Sequence, residues 1–343
     1  MTNGKGLYQR WTNLWVIIFN LTLFLNPALA HTAFDPMTIG VGARALGMGK
    51  AYVAVAEGGD ALFTNPAGLG ETDSFKFTSM SSRLLEDVNY TLLGAIYPMG
   101  EKSAVGLGYI TTIVSGIELR NLAGTLLGRS NFSSNVLFAS YGKKLTEKLS
   151  LGFSLKYFSQ NGSENNTGNS NCLNLDVGIL QRGLDWLSLG VVGHNLLGGE
   201  KFTYASGAPD SLPMTLTLGT KVFLLGEKYQ SAFVFPAQLS LQADAILPLN
   251  EQQAQATNWG VEFSPNQYLT LRTGLDQANK PEGIDNNLTY GLSLHVAGIG
   301  FHYAYHAYSD LAANATQFFS LSFDERGWPS EEFSPPLANV RGL

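Results

Sequence analysis

The sequence predicts an all-β fold, a 14-stranded antiparallel transmembrane β-barrel with an N-terminal Gly/Ala-rich plug in its lumen. Three observations lead there. Charged residues are only 14% of the 343, against about 25% in ordinary soluble domains. From Phe75 to Phe323 apolar residues recur at every second position in stretches of about ten, the period of a strand with one face in lipid. The connections between these stretches alternate between long polar loops and tight turns, as in barrels with long loops outside the cell.

Composition also limits function. Glycine (38), phenylalanine (20) and tyrosine (14) are abundant, which suits short strands and aromatic girdles. A net charge of −6 without a cluster of Lys and Arg argues against a nucleic-acid partner. Cys172 is the single cysteine, so an intrachain disulfide and a multi-cysteine metal site are excluded, and no cofactor is expected.

Residues 1–30 read as a signal peptide. Lys5 and Arg10 give a positive start, Leu14 to Leu25 an apolar run, and Ala28-Leu29-Ala30 a small-x-small cleavage site. A helix needs roughly 20 apolar residues to cross a bilayer. This run is shorter and contains Asn20, so it is not read as an anchor. The expected location is the outer membrane of a Gram-negative-type bacterium, with both termini periplasmic. Outer-membrane lipid and barrel-assembly machinery are the expected partners.

Residues 31–72 differ in character. Gly and Ala dominate 39–70, and small side chains let a backbone run close to a wall. Pro66 removes a donor and steers Asn65 away from helix. A periplasmic linker and a plug folded into the lumen both fit, and a barrel of this size can hold a plug. The run Gly42 to Ala56, followed by Ala61 to Leu69, resembles the N-terminus of the PorV/PorQ family. It is more distantly similar to the FadL-type long-chain fatty acid transporters, whose plug carries the same Asn-Pro-Ala motif. The resemblance implies an N-terminal hatch, with Gly42, Arg44, Gly47, Gly49, Asn65, Pro66, Ala67 and Gly68 as its motif residues. Arg44 lies between small residues and would be desolvated, so it is expected to be paired inside the lumen. Asp244, Glu262, Asp276, Glu57 and Asp60 are the candidate partners.

The barrel is expected over 73–323. Its strands are placed near 75–82, 88–99, 103–115, 134–145, 149–159, 171–181, 186–194, 212–225, 235–247, 256–264, 267–276, 287–296, 299–308 and 315–323. Residues 116–133, 161–170, 196–211 and 277–286 read as long loops, and 100–102, 146–148, 265–266 and 297–298 as tight turns. Residues 324–343 form a Pro-rich tail past the last strand, expected in the periplasm.

Lys156, Asp176, Lys221, Asp244, Glu262, Arg272, Asp276, His295 and His302 fall on inward positions. Charges facing lipid at midplane would cost about 2–4 kcal/mol, so a lumen network is their natural place. A two-residue turn at Ala297-Gly298 would set Ser293 opposite His302. No carboxylate shares that face to orient the histidine, so a hydrolytic triad is not formed. His302 and His306 are about 13 Å apart on a strand and cannot share a metal ion. The chain is therefore not expected to be an enzyme. Leu46, Met48, Tyr52, Phe63, Leu93 and Phe158 are large apolar residues of the plug or of inward phase. They would line an apolar pocket or pack the plug against the wall. The expected function is transport of apolar small molecules, fatty-acid-like or aromatic, through a plugged lumen. The alternative is a PorV-like secretion-associated shuttle or scaffold for exported proteins.

Overall fold

Strands that alternate apolar and polar residues have one face for hydrocarbon and one for a polar interior. Closing them into a ring leaves no unpaired edge. The computed structural model has that architecture. It describes residues 35–84, 88–162, 169–184, 186–197, 201–203, 209–225, 237–249, 254–280, 283–307 and 316–327. The signal-peptide region and most of the C-terminal tail lie outside the described residues.

In chain order the strands are β1 (Lys76–Leu84), β2 (Val88–Pro98), β3 (Ser103–Arg120), β4 (Leu126–Thr146), β5 (Leu149–Gly162), β6 (Ser170–Leu184), β7 (Leu187–His194), β8 (Lys201–Thr203), β9 (Pro209–Ser211), β10 (Thr215–Leu225), β11 (Gln238–Pro248), β12 (Ala256–Ser264), β13 (Leu269–Lys280), β14 (Gly283–Val296), β15 (Ile299–Ala307) and β16 (Thr316–Asp324). β8 and β9 form a small hairpin by themselves. The other fourteen close into one antiparallel barrel, sealed where β1 pairs with β16.

Side-chain alternation follows the sequence pattern. On β5, Leu151, Phe153, Leu155 and Tyr157 face outward, and Ser150, Gly152, Ser154 and Lys156 face inward. The outer surface is apolar around the girth, with Leu137, Leu241, Leu271 and Phe301 all exposed. At the β14–β15 turn Ala297 (φ 49°) and Gly298 (φ 83°) both adopt positive φ, the conformation of the two-residue turn that matches strand twist. It pairs Ser293 with His302 across the two strands.

Two expectations need correcting. The stretch 116–133, read as a long loop, continues the β3–β4 ladder to a tip at 121–125, where Asn121 N donates to Thr125 O at 3.0 Å. β13 and β14 likewise extend through most of 277–286. Beyond the apolar belt both faces of a hairpin meet water, so the ladder persists while the alternation that marks it disappears. Second, Leu93 is 43% exposed and faces outward, so it lines no pocket. Leu92 and Leu93 are both apolar, and sequence alone does not settle which one points in. Gly94 settles it, because a Cβ there would lie 2.8 Å from the Phe63 ring inside the barrel.

The lumen has two kinds of wall. Inward residues on β1–β6 and β16 include Met80, Tyr90, Leu92, Ile110, Val136, Phe158 and Phe318, all buried and in one apolar cluster. Those on β10–β15 are mostly polar, among them Asp244, Glu262, Arg272, Asp276, Thr289 and Ser293.

Candidate functional site: the N-terminal segment against the inner wall

Residues 35–72 form short turns and no long helix: 3-10 turns at Pro36–Ile39, Gly58–Asp60 and Pro66–Glu71, and single α-turns at Ala43–Leu46 and Ala61–Thr64. The frequent glycines explain this, since each adds conformational freedom that a helix must give up. The segment packs against the barrel's inner face with Leu46, Met48, Tyr52, Phe63 and Leu69 buried.

Its seat is a belt of inward-facing glycines. Several are direct partners across neighbouring strands: Gly94 with Gly108, Gly142 with Gly152 and Gly152 with Gly178, Gly190 with Gly219, and Gly260 with Gly274. A Cβ at Gly142 would lie 2.6 Å from both Leu69 Cβ and Pro66 O, one at Gly260 2.7 Å from Met48 Cβ, and one at Gly219 2.8 Å from Ala54 N. Glycine inside a strand often marks close approach of another backbone, and here that backbone is the N-terminal segment. Gly47 meets Gly291 Cα in the same way, at 2.8 Å from its would-be Cβ. Gly49 (φ 60°) rests on the Leu275 backbone, and Gly42 (φ 80°) abuts the Asp60 carboxylate.

Polar ties fix the segment's register on this seat. Asn65 caps the turn that Pro66 begins, accepting from Ala67 N at 3.1 Å, and its amide donates to Val53 O at 3.0 Å and to Ile179 O at 3.2 Å. Gly68 packs on Ala56 O. One Asp244 carboxylate oxygen accepts from the backbone N–H groups of Tyr52 (2.8 Å) and Val53 (3.0 Å). Ala43 N donates to Ser320 Oγ and Gly49 N to Thr289 Oγ1, each at 2.9 Å. Tyr90 donates its hydroxyl to Gly40 O at 3.0 Å.

Arg44 is the centre of the largest charge network among the described residues. Its Nε and one terminal nitrogen donate to the two Glu262 oxygens at 3.1 and 3.0 Å, and the terminal nitrogen lies 3.0 Å from Glu57. Arg272 Nε donates to Glu262 at 2.6 Å, and Arg272 also donates to Ser293 Oγ. Ser293 and His302 are 2.7 Å apart, and the far side of the His302 ring meets Ser322 Oγ at 2.8 Å. Two serines therefore orient His302, and the Glu262 carboxylate belongs to the two arginines. His295 packs edge-on against His302 with centroids 5.3 Å apart. Lys221 reaches Glu57 at 3.5 Å.

Of the sequence-predicted lumen residues, Lys156 and Asp176 form a separate buried pair at 2.6 Å that also holds His194 and Asn195. Asp276 binds Lys50 of the N-terminal segment and His306, both at 2.8 Å. Among the described residues no cluster could hold a metal ion. Within the segment, burial pushes the Asp60 carboxyl up to about 6, although Thr78 Oγ1 donates to it at 2.9 Å. Burial also pushes Glu57 up, but the Lys221, Arg44 and Arg182 charges outweigh it and hold Glu57 below the usual carboxylate range.

No protein-family model matches the chain, and no curated protein does. Among solved structures it is similar to the CymD monoaromatic hydrocarbon channel, with a TM-score of 0.55 and 14% identity over 85% of this chain and 98% of that one. It is similar to the Ralstonia pickettii toluene transporter TbuX (TM-score 0.54, 14% identity, 83% of this chain and 98% of that one). A Pseudomonas aeruginosa FadL homologue gives 0.52 at 12% identity, over 83% and 98%. The chain shares their barrel fold. The FadL-type part of the resemblance drawn from residues 42–69 thus has structural counterparts, and the PorV/PorQ part is not represented among these three.

Sequence reasoning overlooked the wall's glycine belt and the hydroxyls of Tyr90, Thr78, Thr289 and Ser320. The belt had a signal, because its glycines sit in the inward phase of strands that are otherwise regular. The hydroxyls had none, since buried Ser and Thr recur on most strands, among them Ser82, Thr112, Ser134, Ser154 and Thr270, and nothing in the alternation sets Tyr90 apart from other inward residues.

Proposed function

We propose that the chain is an outer-membrane β-barrel that carries apolar small molecules, fatty-acid-like or aromatic, through a lumen plugged by its N-terminal segment. The observation that carries this reading is the two-sided lumen. A channel for polar solutes has a polar lining, whereas here β1–β6 and β16 offer Leu92, Ile110, Val136, Phe158 and Phe318 beside the plug. The apolar outer girth suits lipid, and the signal-peptide pattern suits export. Structures with the same fold are named as a monoaromatic hydrocarbon channel and a toluene transporter, which supports cargo of that chemistry. In this reading the β3–β4 tip and the other long connections face outward, and both termini face the periplasm. No observation favours the secretion-associated alternative.

The test is uptake by a gene deletion, its parent and a complemented strain across alkylbenzenes and long-chain fatty acids. Loss of uptake for part of the panel, restored by the gene, supports transport. Identical uptake across the whole panel refutes it, and loss of particular exported proteins from the cell surface would then point to secretion.

A further inference from the structure

Two adjacent rows of inward side chains cross β2 to β6. The inner row is apolar and runs Leu92, Ile110, Val136, Phe158, Cys172, each paired across strands with the next. One step toward the β3–β4 tip lies a polar row in the same register: Tyr90, Thr112, Ser134, Gln160, Ser170. All ten are buried. Three members of the polar row, Thr112 Oγ1, Ser134 Oγ and Ser170 Oγ, are buried oxygens with no hydrogen-bond partner among the described residues. A buried hydroxyl is normally paired, because an unmet one is destabilising. Three unmet hydroxyls on β3, β4 and β6 are an arrangement that folding alone does not require.

We propose that these two rows form one binding site for an apolar molecule with an uncharged hydrogen-bonding head, such as a phenol or an alcohol. The apolar row packs the body, in place of the Met37 and Ile39 side chains that now pack against the same cluster, and Thr112, Ser134 and Ser170 meet the head, since a hydroxyl can both donate and accept. A carboxylate head is disfavoured because neither row contains a cation. Lys156, the next inward residue of β5 beyond Phe158, is already held by Asp176 and Asn195, each at 2.6 Å. The site deepens the transport reading by naming a cargo class and rests on that reading for its use, but binding can be measured independently of transport.

The experiment uses the full chain in lipid nanodiscs and three probes with one body: 4-ethylphenol, ethylbenzene and 4-ethylbenzoate. Binding is followed by ligand-observed NMR for the wild type and for a Thr112→Val, Ser134→Ala, Ser170→Ala triple variant, which removes the oxygens while nearly keeping volume. The wild type should prefer 4-ethylphenol over ethylbenzene. The triple variant should lose about tenfold in 4-ethylphenol affinity, the worth of one or two hydrogen bonds, with ethylbenzene unchanged. An unchanged phenol-to-hydrocarbon ratio would overturn the site and leave the row as a holder of water. Strongest binding by 4-ethylbenzoate would overturn the uncharged head. If the binding preference appears but gene deletion leaves uptake of all three probes unchanged, the site stands and the transport reading falls.

Discussion

Glu262→Gln tests whether charge pairing holds the N-terminal segment in the lumen. Glu262 serves two guanidiniums, accepting from Arg44 at 3.0 and 3.1 Å and from Arg272 at 2.6 Å. Glutamine keeps the shape, removes the charge and turns one acceptor into a donor that faces a guanidinium. Arg44 retains Glu57 at 3.0 Å, whereas Arg272, with a side chain only 1% exposed, is left with neutral acceptors, the Ser293 hydroxyl and the glutamine amide oxygen. Removing one partner of a buried ion pair costs about 3–5 kcal/mol. Unseating residues 43–55 would let water reach both arginines and relieve that cost. The free energy of local opening should therefore fall by about 3 kcal/mol, or about two orders of magnitude in amide exchange of 43–55. Hydrogen exchange read by mass spectrometry in nanodiscs measures this directly. Lys102→Met is the control, because it breaks only an exposed pair with Glu147 at 2.8 Å. Exchange of 43–55 in Glu262→Gln within about threefold of wild type would refute the reasoning, since that is the range of an ordinary surface change.

Three further outcomes are expected. In a Cys172→Ala background, Ala123→Cys at the β3–β4 tip should react with an impermeant maleimide on intact cells, while Asn266→Cys in the short turn before β13 should not; equal labelling would reject the orientation. Gly142→Val places side-chain carbons in space already filled by the N-terminal segment, because its Cβ would sit 2.6 Å from Leu69 Cβ and from the Pro66 carbonyl oxygen. It should expose 66–71 to protease by at least about tenfold while the barrel keeps its heat-resistant mobility on gels, and unchanged protection would show that the belt is not a seat. Asp60 rises from an ordinary value of 3.8 to about 6 on burial, so its contribution to docking is fully present below about pH 4 and is lost as pH rises through about 6. Protection of 58–64 against exchange, corrected for the intrinsic rate, should decline between pH 5 and pH 7, and Asp60→Asn should flatten the profile; a flat wild-type profile would contradict it.

What the sequence showed and what it hid have physical causes. Lipid imposes alternation, so the fourteen strands could be read and counted one by one, and the loops sorted by length supported the count. Where lipid ends, so does the alternation, and the outer ends of β3 and β4 read as loop although their backbones are paired. Charges were legible because they cannot face hydrocarbon, which puts Lys156, Asp176, Glu262, Arg272 and Asp276 inside. Leu92 and Leu93 carry no such mark. Their phase was set by Phe63, a residue about thirty positions earlier whose place in the lumen depends on the closed barrel. The glycine belt was hidden for a related reason: a glycine reads as a weak point in a strand until the backbone that needs its space is in view.

The distribution of ties around the lumen gives the two walls different mechanical roles. Arg44, Gly49, Lys50, Tyr52 and Val53 are held by Glu262, Thr289, Asp276 and Asp244, on β11 to β14. On β4 to β6, Lys144, Ser150 and Arg182 meet Glu71, Glu57 and the Val55 carbonyl near the short turns. Farther toward the β3–β4 tip, β2 to β5 touch the segment through Phe63, Leu62, the Tyr90 hydroxyl and Met37, whose sulfur lies 4.0 Å from Lys156 Nζ. Breaking a buried charge pair costs about 3–5 kcal/mol, whereas apolar packing displaced by an apolar newcomer is replaced by packing of similar strength. In the proposed transport reading, an apolar molecule that enters beside β2 to β5 would therefore exchange like for like, with the charged half of the segment still docked.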